Sequence, residues 1–99
     1  MYKFVGINIT SMNQEAIHLN DMPNIGKVLA QKLEEVGITT PQALIEMGSE
    51  QAFIRIKTVD SGACMSMLQA LEGAVQGIRW HHLEQGRKHE LKQFFDRIH

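Results

Sequence analysis

The chain has 99 residues, 43% of them hydrophobic and 21% charged, a balance that fits one small globular domain and excludes a disordered tail or a fibrous repeat. A single cysteine excludes an internal disulfide framework and a Cys-rich zinc site. The formal net charge is −1. No apolar run reaches the roughly 18 residues that cross a bilayer, and residues 1–20 lack the pattern of a secretory leader. We therefore expect a cytoplasmic protein without membrane contact.

Residues 2–10 are rich in β-branched and aromatic side chains, with a loose alternation that predicts an extended segment or a short strand. The rest of the chain offers no second strand-like run to pair with them, and an unpaired strand leaves its backbone donors and acceptors unsatisfied. Two interpretations stay open: these residues are a leader outside the core, or they pair with the same residues of a second copy. Residues 1–20 are the predicted extended segment, and residues 21–99 the predicted helical domain.

Helical periodicity begins near residue 13 and predicts a compact all-α bundle of five to six short helices. The weakest of them covers residues 13–19. Several of the others have a capping residue or proline at the start, or a glycine at the end. They are expected at 25–36 (ended by Gly37), between Thr40-Pro41 and Gly48, at 50–58 (capped by Ser49), at 62–77 (capped by Asp60 or Ser61) and at 84–98.

The longest predicted helix, 62–77, has two different faces. One is an apolar stripe expected to face the core, made of Cys64, Met67, Leu68, Leu71, Val75 and Ile78. The other has only small side chains, which favour the close approach of another helix: Ala70, Gly73, Ala74 and Gly77. A turn at 79–83, anchored by Trp80, is expected to lead into the last helix.

The sequence contains no side chains with the spacing of a catalytic or metal site. None of the serines lies in the glycine-flanked elbow of a hydrolase nucleophile. His81 and His82 are adjacent and point apart, and the helical neighbours of His89 supply no second metal ligand. The Gly26-Lys27 pair lacks the flanking residues of a phosphate-binding loop. We therefore predict a non-enzymatic protein without a cofactor or a metal ion.

The turn at 23–27 is the one feature with a functional mechanism. Pro23 fixes φ, Asn24 tolerates a left-handed conformation, and Gly26 lets the backbone come close to a ligand. The run Pro-Asn-Ile-Gly-Lys before a helix resembles the hairpin of a helix–hairpin–helix unit, in which backbone amides at a helix N-terminus hold a DNA phosphate. Asn24 stands where such hairpins usually have their first glycine. The competing interpretation is a tight corner whose glycine only lets two helices pack.

A longer series of residues, from Leu19 to Leu91, resembles the C-terminal domain of TfoX/Sxy-type competence regulators. The first block of matching residues is Pro23-Asn24-Ile25-Gly26, Leu33, Val36-Gly37-Ile38, Thr40-Pro41, Leu44, Gly48 and Ala52. The second and more specific block is Cys64, the run from Leu68 to Ala74, Gly77, Trp80, Leu83, Lys88 and Leu91. The sequence departs from the family at Gln69, where a tyrosine is common, and has about 20 residues where full-length regulators have an N-terminal domain.

The resemblance implies an all-helical, SAM-like or helix–hairpin–helix-like fold, here as a stand-alone module. Full-length members regulate the genes for natural DNA uptake alongside a cyclic-AMP-responsive activator. Our leading hypothesis is therefore a DNA-associated, transcription-linked adaptor in which the turn meets phosphate. Its expected partners are DNA and a transcription-regulatory protein, and its candidate nucleic-acid-binding residues are Asn24, Ile25, Gly26, Lys27, Lys32 and Arg79.

The charge distribution leaves an alternative open. Residues 79–99 carry five basic against three acidic residues, whereas residues 1–78 carry five against eight. The two extra basic residues at 79–99 indicate one of two things. They contact phosphate or an acidic partner, or they only form a solvated helix face. The alternative function is a protein-interaction module, homodimeric through residues 2–10 and helix 62–77, which the near-neutral charge and six methionines favour.

Overall fold

The computed structural model describes residues 18–98, and every regular element in that range is helical. Five α-helices follow one another: α1 (Lys27–Glu35), α2 (Pro41–Met47), α3 (Ser49–Lys57), α4 (Met65–Gln76) and α5 (Gln85–Ile98). Two single-turn 3₁₀ helices, Leu19–Asp21 and Trp80–His82, precede α1 and α5. The predicted all-α bundle is confirmed. The predicted extended segment at 2–10 and most of the predicted helix at 13–19 lie outside the described residues.

The core forms where α3 packs against α4, the most extensive pair of helices. α1 and α2 pack against α3, and α5 packs against α4. The largest fully buried side chains are Leu33, Ile38, Leu44, Phe53, Ile56, Leu68, Leu71 and Leu91. The rings of Phe53 and Phe95 meet with their centroids 5.9 Å apart, which ties α5 to α3. Within residues 18–98, no helix is long and apolar enough to cross a membrane.

The helix ends at Gly37 and Thr40 agree with the sequence-based predictions. Gly37 has φ +88, its N–H donates to Glu34 O, and the N–H of Ile38 donates to Leu33 O at 2.9 Å. This paired arrangement closes α1 with a left-handed glycine. The N–H of Ala43 donates to Thr40 Oγ1 at 3.0 Å, so the threonine side chain caps α2.

Two other predicted caps are wrong. Gly48, not Ser49, is the N-cap of α3: its N–H donates to Leu44 O at the end of α2, and its carbonyl accepts from Ala52 N. Gly48 has φ +87, which only glycine adopts without strain, so one residue ends α2 and begins α3. α4 begins after Cys64 rather than after Asp60, whose carboxylate instead accepts the N–H of Gly62 at 3.0 Å.

Three predictions about side-chain positions also need correction. Cys64 is exposed because it caps α4 outside the apolar stripe. Trp80 is 44% exposed, so its main chain, which bonds Asn24, and the buried Leu83 anchor the turn, rather than its side chain. Gly73 does allow a close approach, but the neighbours are the side chain of Asn24, the backbone oxygen of Ile78 and the start of the 3₁₀ helix at Trp80, not a second α-helix.

Candidate functional site

The turn before α1 is held in place by the side chain of Asn24. Asn24 has φ +70, a left-handed conformation that asparagine tolerates better than most residues. Its Nδ2 donates to Ile78 O at 2.9 Å, and its Oδ1 accepts the N–H of Trp80 at 3.1 Å. A weaker bond of 3.4 Å reaches Ala70 O in α4. A glycine here would adopt the turn equally well but would lose these side-chain bonds.

The N-terminus of α1 is open to solvent. Gly26 is its N-cap, and a Cβ built on Gly26 would meet nothing within 4 Å. The first N–H of α1 that has a backbone acceptor is that of Ala30, which donates to Gly26 O at 3.0 Å. The N–H groups of Lys27, Val28 and Leu29 find no acceptor in the described part of the chain. Three unpaired donors at the positive end of a helix dipole form a surface suited to an anion.

Two open grooves meet at Ser66 on this side of the domain. The first has a volume of about 420 Å³ and is lined by Gly26, Lys27, Val28, Leu29, Lys32, Ser66 and Met67. The second has a volume of about 290 Å³ and is lined by Asn24, Ser66, Gln69, Ala70, Arg79 and Trp80. The fold therefore brings five of the six predicted binding residues to one continuous surface. The sixth, Ile25, is 4% exposed, and its side chain belongs to the core.

The three basic residues on this surface differ in how much charge they can offer. Lys32 pairs with Asp60 at 3.1 Å and thereby links α1 to the loop between α3 and α4. The hydrogen bonds from Lys32 and from the N–H of Gly62 lower the pKa of Asp60. Among residues 18–98, neither Lys27 nor Arg79 has an ion-pair partner, and both are exposed. Lys27 and Arg79 are therefore the two charges available to a ligand.

A second polar cluster, which the sequence did not predict, joins α3, α4 and α5. Glu72 is 7% exposed, and its carboxylate accepts the Ser49 hydroxyl at 2.6 Å, Gln76 Nε2 at 2.6 Å and Arg87 at 3.0 Å. Arg87 also bonds Glu50 at 3.3 Å and Glu90 at 3.0 Å. Ser49, which the sequence predicts to be a helix cap, thus donates its hydroxyl to the buried Glu72 carboxylate instead.

Hydrogen bonding decides the ionisation of this cluster. Burial alone would raise the pKa of Glu72, but the hydrogen bonds from Arg87, Ser49 and Gln76 outweigh it and lower the pKa to about 2. The bond to Glu72 in turn raises the pKa of Arg87 above its usual value. The charges are thus fixed at neutral pH and serve to lock three helices together. No three His, Cys, Asp or Glu side chains within residues 18–98 are grouped so that they could hold a metal ion.

The comparison with known proteins agrees with the residue pattern. Residues 15–95 match the TfoX C-terminal domain. Protein Sxy of Escherichia coli (strain K12) is 34% identical over 80 residues, which are 81% of this chain and 38% of Sxy. The chain therefore spans well under half the length of that relative.

Two crystal structures of Listeria monocytogenes proteins resemble the fold closely. One, an uncharacterized protein in a triclinic crystal form, is 58% identical with a TM-score of 0.77, and the match covers 78% of this chain and 88% of that one. The other, a protein of unknown function in a tetragonal form, is 56% identical with a TM-score of 0.80, covering 82% of this chain and 100% of that one. The family matches point to a regulator-type domain rather than an enzyme. The chain belongs to the TfoX C-terminal domain family, a competence-regulator-like family.

Proposed function

We propose that this domain is a non-enzymatic, DNA-associated regulatory module that contacts backbone phosphate through the N-terminus of α1. One observation carries the proposal: at the solvent-exposed start of α1, the amides of Lys27, Val28 and Leu29 find no acceptor within residues 18–98. The run that precedes them resembles the hairpin of a helix–hairpin–helix unit. A phosphate oxygen at this position accepts charge-assisted hydrogen bonds and lies at the favourable end of the helix dipole. The Lys27 ammonium adds a charge that no acidic side chain in residues 18–98 neutralises.

The charge of the surface determines how strong this binding is. Only Lys27 and Arg79 are available, and the chain as a whole carries a net charge of −1. Each neutralised phosphate contributes about −0.9 to the slope of log affinity against log salt, so a slope near −2 is expected for duplex DNA. We therefore expect a modest binder rather than a broad electrostatic binder.

The direct test is a titration of fluorescently labelled duplex DNA with the full chain at low and moderate salt, followed by anisotropy. We expect a dissociation constant tighter than about 1 mM at low salt, because non-specific DNA-binding proteins usually reach 10⁻⁴ to 10⁻⁶ M. Lys27→Gln should weaken binding and make the salt slope shallower by about 1. Lys92→Gln is the matched control, since Lys92 lies in α5, where its ammonium already pairs with Asp96 at 2.7 Å. Absence of binding at low salt would refute the proposal.

A protein partner is the second candidate, and the apolar lining of the larger groove favours it. Val28 is 69% exposed beside Leu29 and Met67, and exposed apolar side chains around a groove are common at protein interfaces. A homodimer through residues 2–10 and helix 62–77 stays a prediction; on that helix, Gly73 and Ala74 are buried within the domain. Sedimentation of the full chain and of a chain starting at Ser11 tests it. A dimer that is lost on truncation supports strand pairing, and identical monomers exclude it.

A further inference from the structure

We propose that the groove beside Trp80 takes an unpaired nucleobase, so that the nucleic acid bound by this domain is single-stranded at that point. This inference rests on the proposed phosphate contact at α1 and names the class of nucleic acid that the same surface prefers. The observation behind it is an exposed indole on an anchored backbone, in a groove that shares Ser66 with the α1 groove. Beside it lies Arg79, which has no ion-pair partner within residues 18–98.

The position of Trp80 is fixed by its main chain. Its N–H donates to Asn24 Oδ1 at 3.1 Å, and its Cα lies so close to α4 that a Cβ on Gly73 would come within 3.2 Å. The backbone is therefore anchored at two points while the residue is 44% exposed. A large aromatic side chain on an anchored backbone offers a flat apolar face to a ligand, and only its own side-chain torsions remain to be ordered when a flat ligand stacks on it.

The surroundings of the ring favour a base over an apolar side chain. His81 meets the indole nearly at right angles, at 83° and 5.6 Å between centroids, and so does not stack flat on it as a base would. Arg79 lines the same groove, as do the polar side chains of Ser66 and Gln69. A base on Trp80 would have its backbone phosphate within the field of Arg79, and Ser66 connects this groove to the one at Lys27. Aromatic stacking combined with nearby basic side chains is the usual means of binding single strands.

A base inside a duplex is stacked on both faces, so a protein ring can stack on it only if the base is flipped out or the base stack is opened, and either change costs free energy. The groove is open and has a volume of about 290 Å³. Along α4 it is lined by Ser66, Gln69 and Ala70, which cover about one turn of that helix. The indole therefore distinguishes an unpaired base from a paired one, whereas the amides of α1 contact phosphate in either form.

The test compares three labelled probes by anisotropy with the full chain: a thymidine oligonucleotide of about 12 nucleotides, the same strand with abasic sugars, and a matched duplex. We expect the thymidine strand to bind about fivefold or more tightly than the abasic strand, the preference that one stacked base supplies. Quenching of the protein's intrinsic tryptophan fluorescence by an unlabelled strand reports the contact directly, because Trp80 is the sole tryptophan of the chain. Trp80→Ala should bind both single strands equally, and Trp80→Phe should keep part of the preference for thymidine.

The outcomes separate this inference from the proposed function. If the wild type binds thymidine and abasic strands equally, or if Trp80→Ala keeps the preference, base stacking is refuted while phosphate binding stands. If none of the three probes binds at low salt, both the base-stacking inference and the proposed phosphate contact are refuted. Trp80→Ala leaves the hydrogen bond to Asn24 intact, since that bond uses the main chain, and circular dichroism of each variant checks that the fold is unchanged.

Discussion

The side-chain amide of Asn24 occupies the space that a Cβ atom on Gly73 would need. The two residues are 49 positions apart in the sequence, and their contact lets the turn before α1 lie directly on α4. Asn24 Nδ2 reaches Ile78 O at 2.9 Å across the glycine. The candidate binding surface therefore depends on a helix position without a side chain.

Gly73→Ala should destabilise the domain even though alanine is the better helix former. A Cβ at this position would overlap Asn24 Nδ2 and would lie 2.8 Å from the backbone oxygen of Ile78. The gain in helix propensity is about 1 kcal/mol, whereas forcing an extra methyl into a filled site costs about 1–3 kcal/mol. We expect a net loss of up to about 2 kcal/mol in the free energy of unfolding, measured with urea. Gly86→Ala in α5 is the control: its Cβ would meet nothing within 4 Å, and we expect neutral or slightly increased stability.

Asn24→Gly and Asn24→Ala should separate the two roles of this asparagine. Glycine keeps the left-handed φ of +70 without strain but removes the bonds to Ile78 and Trp80. Alanine removes the same bonds and adds the left-handed penalty of about 1–2 kcal/mol. The expected order of unfolding free energies is wild type, then Asn24→Gly lower by about 1–3 kcal/mol, then Asn24→Ala lower still. Equal stability of all three would mean that the side-chain bonds contribute nothing.

Acid should weaken the domain through Glu72. Above about pH 4.5 this carboxylate is ionised in the folded and the unfolded chain, and the stabilisation by Arg87, Ser49 and Gln76 is fully present. Between pH 4.5 and pH 2 the unfolded chain takes up a proton while folded Glu72 stays ionised, because its pKa is lowered to about 2. Stability is therefore lost as the pH falls through this window. We expect Glu72 to account for a loss of about 2 kcal/mol between pH 5 and pH 3.

Urea unfolding of wild type and Glu72→Gln at both pH values isolates that contribution. The variant is expected to be less stable at pH 5 and to lose less stability on acidification, since glutamine does not titrate. Glu90→Gln is the matched control, because Glu90 also pairs with Arg87 but its side chain is 65% exposed and such pairs contribute little. An acid loss in Glu72→Gln as large as that of the wild type would contradict the assignment.

A comparison of Lys27→Pro with Lys27→Gln measures how much the backbone N–H of residue 27 contributes to phosphate binding. Both remove the lysine charge, but only proline removes the N–H. Proline is favoured at the first position of a helix, and Gly26 before it is extended, with φ −91 and ψ −173, as a residue before proline requires. Lys27→Pro should thus fold as stably as Lys27→Gln while binding labelled DNA more weakly, by about threefold or more for one lost hydrogen bond. Equal affinities would exclude the Lys27 amide as a phosphate donor.

Local chemistry was enough to predict the helical class and several helix ends. Gly37 and Thr40 act through bonds to residues no more than five positions away, so their roles follow from the neighbouring sequence. The turn at Pro23–Lys27 is also predicted by its own residues, but the bonds that hold it in place reach Ile78 and Trp80, more than 50 positions away. The serine at position 49 shows where this reasoning stops: as a helix cap it is plausible locally, but its hydroxyl is used by Glu72, 23 residues away.

The residue pattern predicted the five α-helices of residues 18–98 and their approximate bounds, because capping, left-handed glycines and apolar periodicity act within one or two turns. Which side chains meet and which stay in solvent depends on the packing of the helices. Asn24 reaches Trp80 across 56 positions, and Arg87 reaches Glu72 across 15. Such pairings depend on how the helices cross, a property of packing volumes and angles that no local pattern encodes.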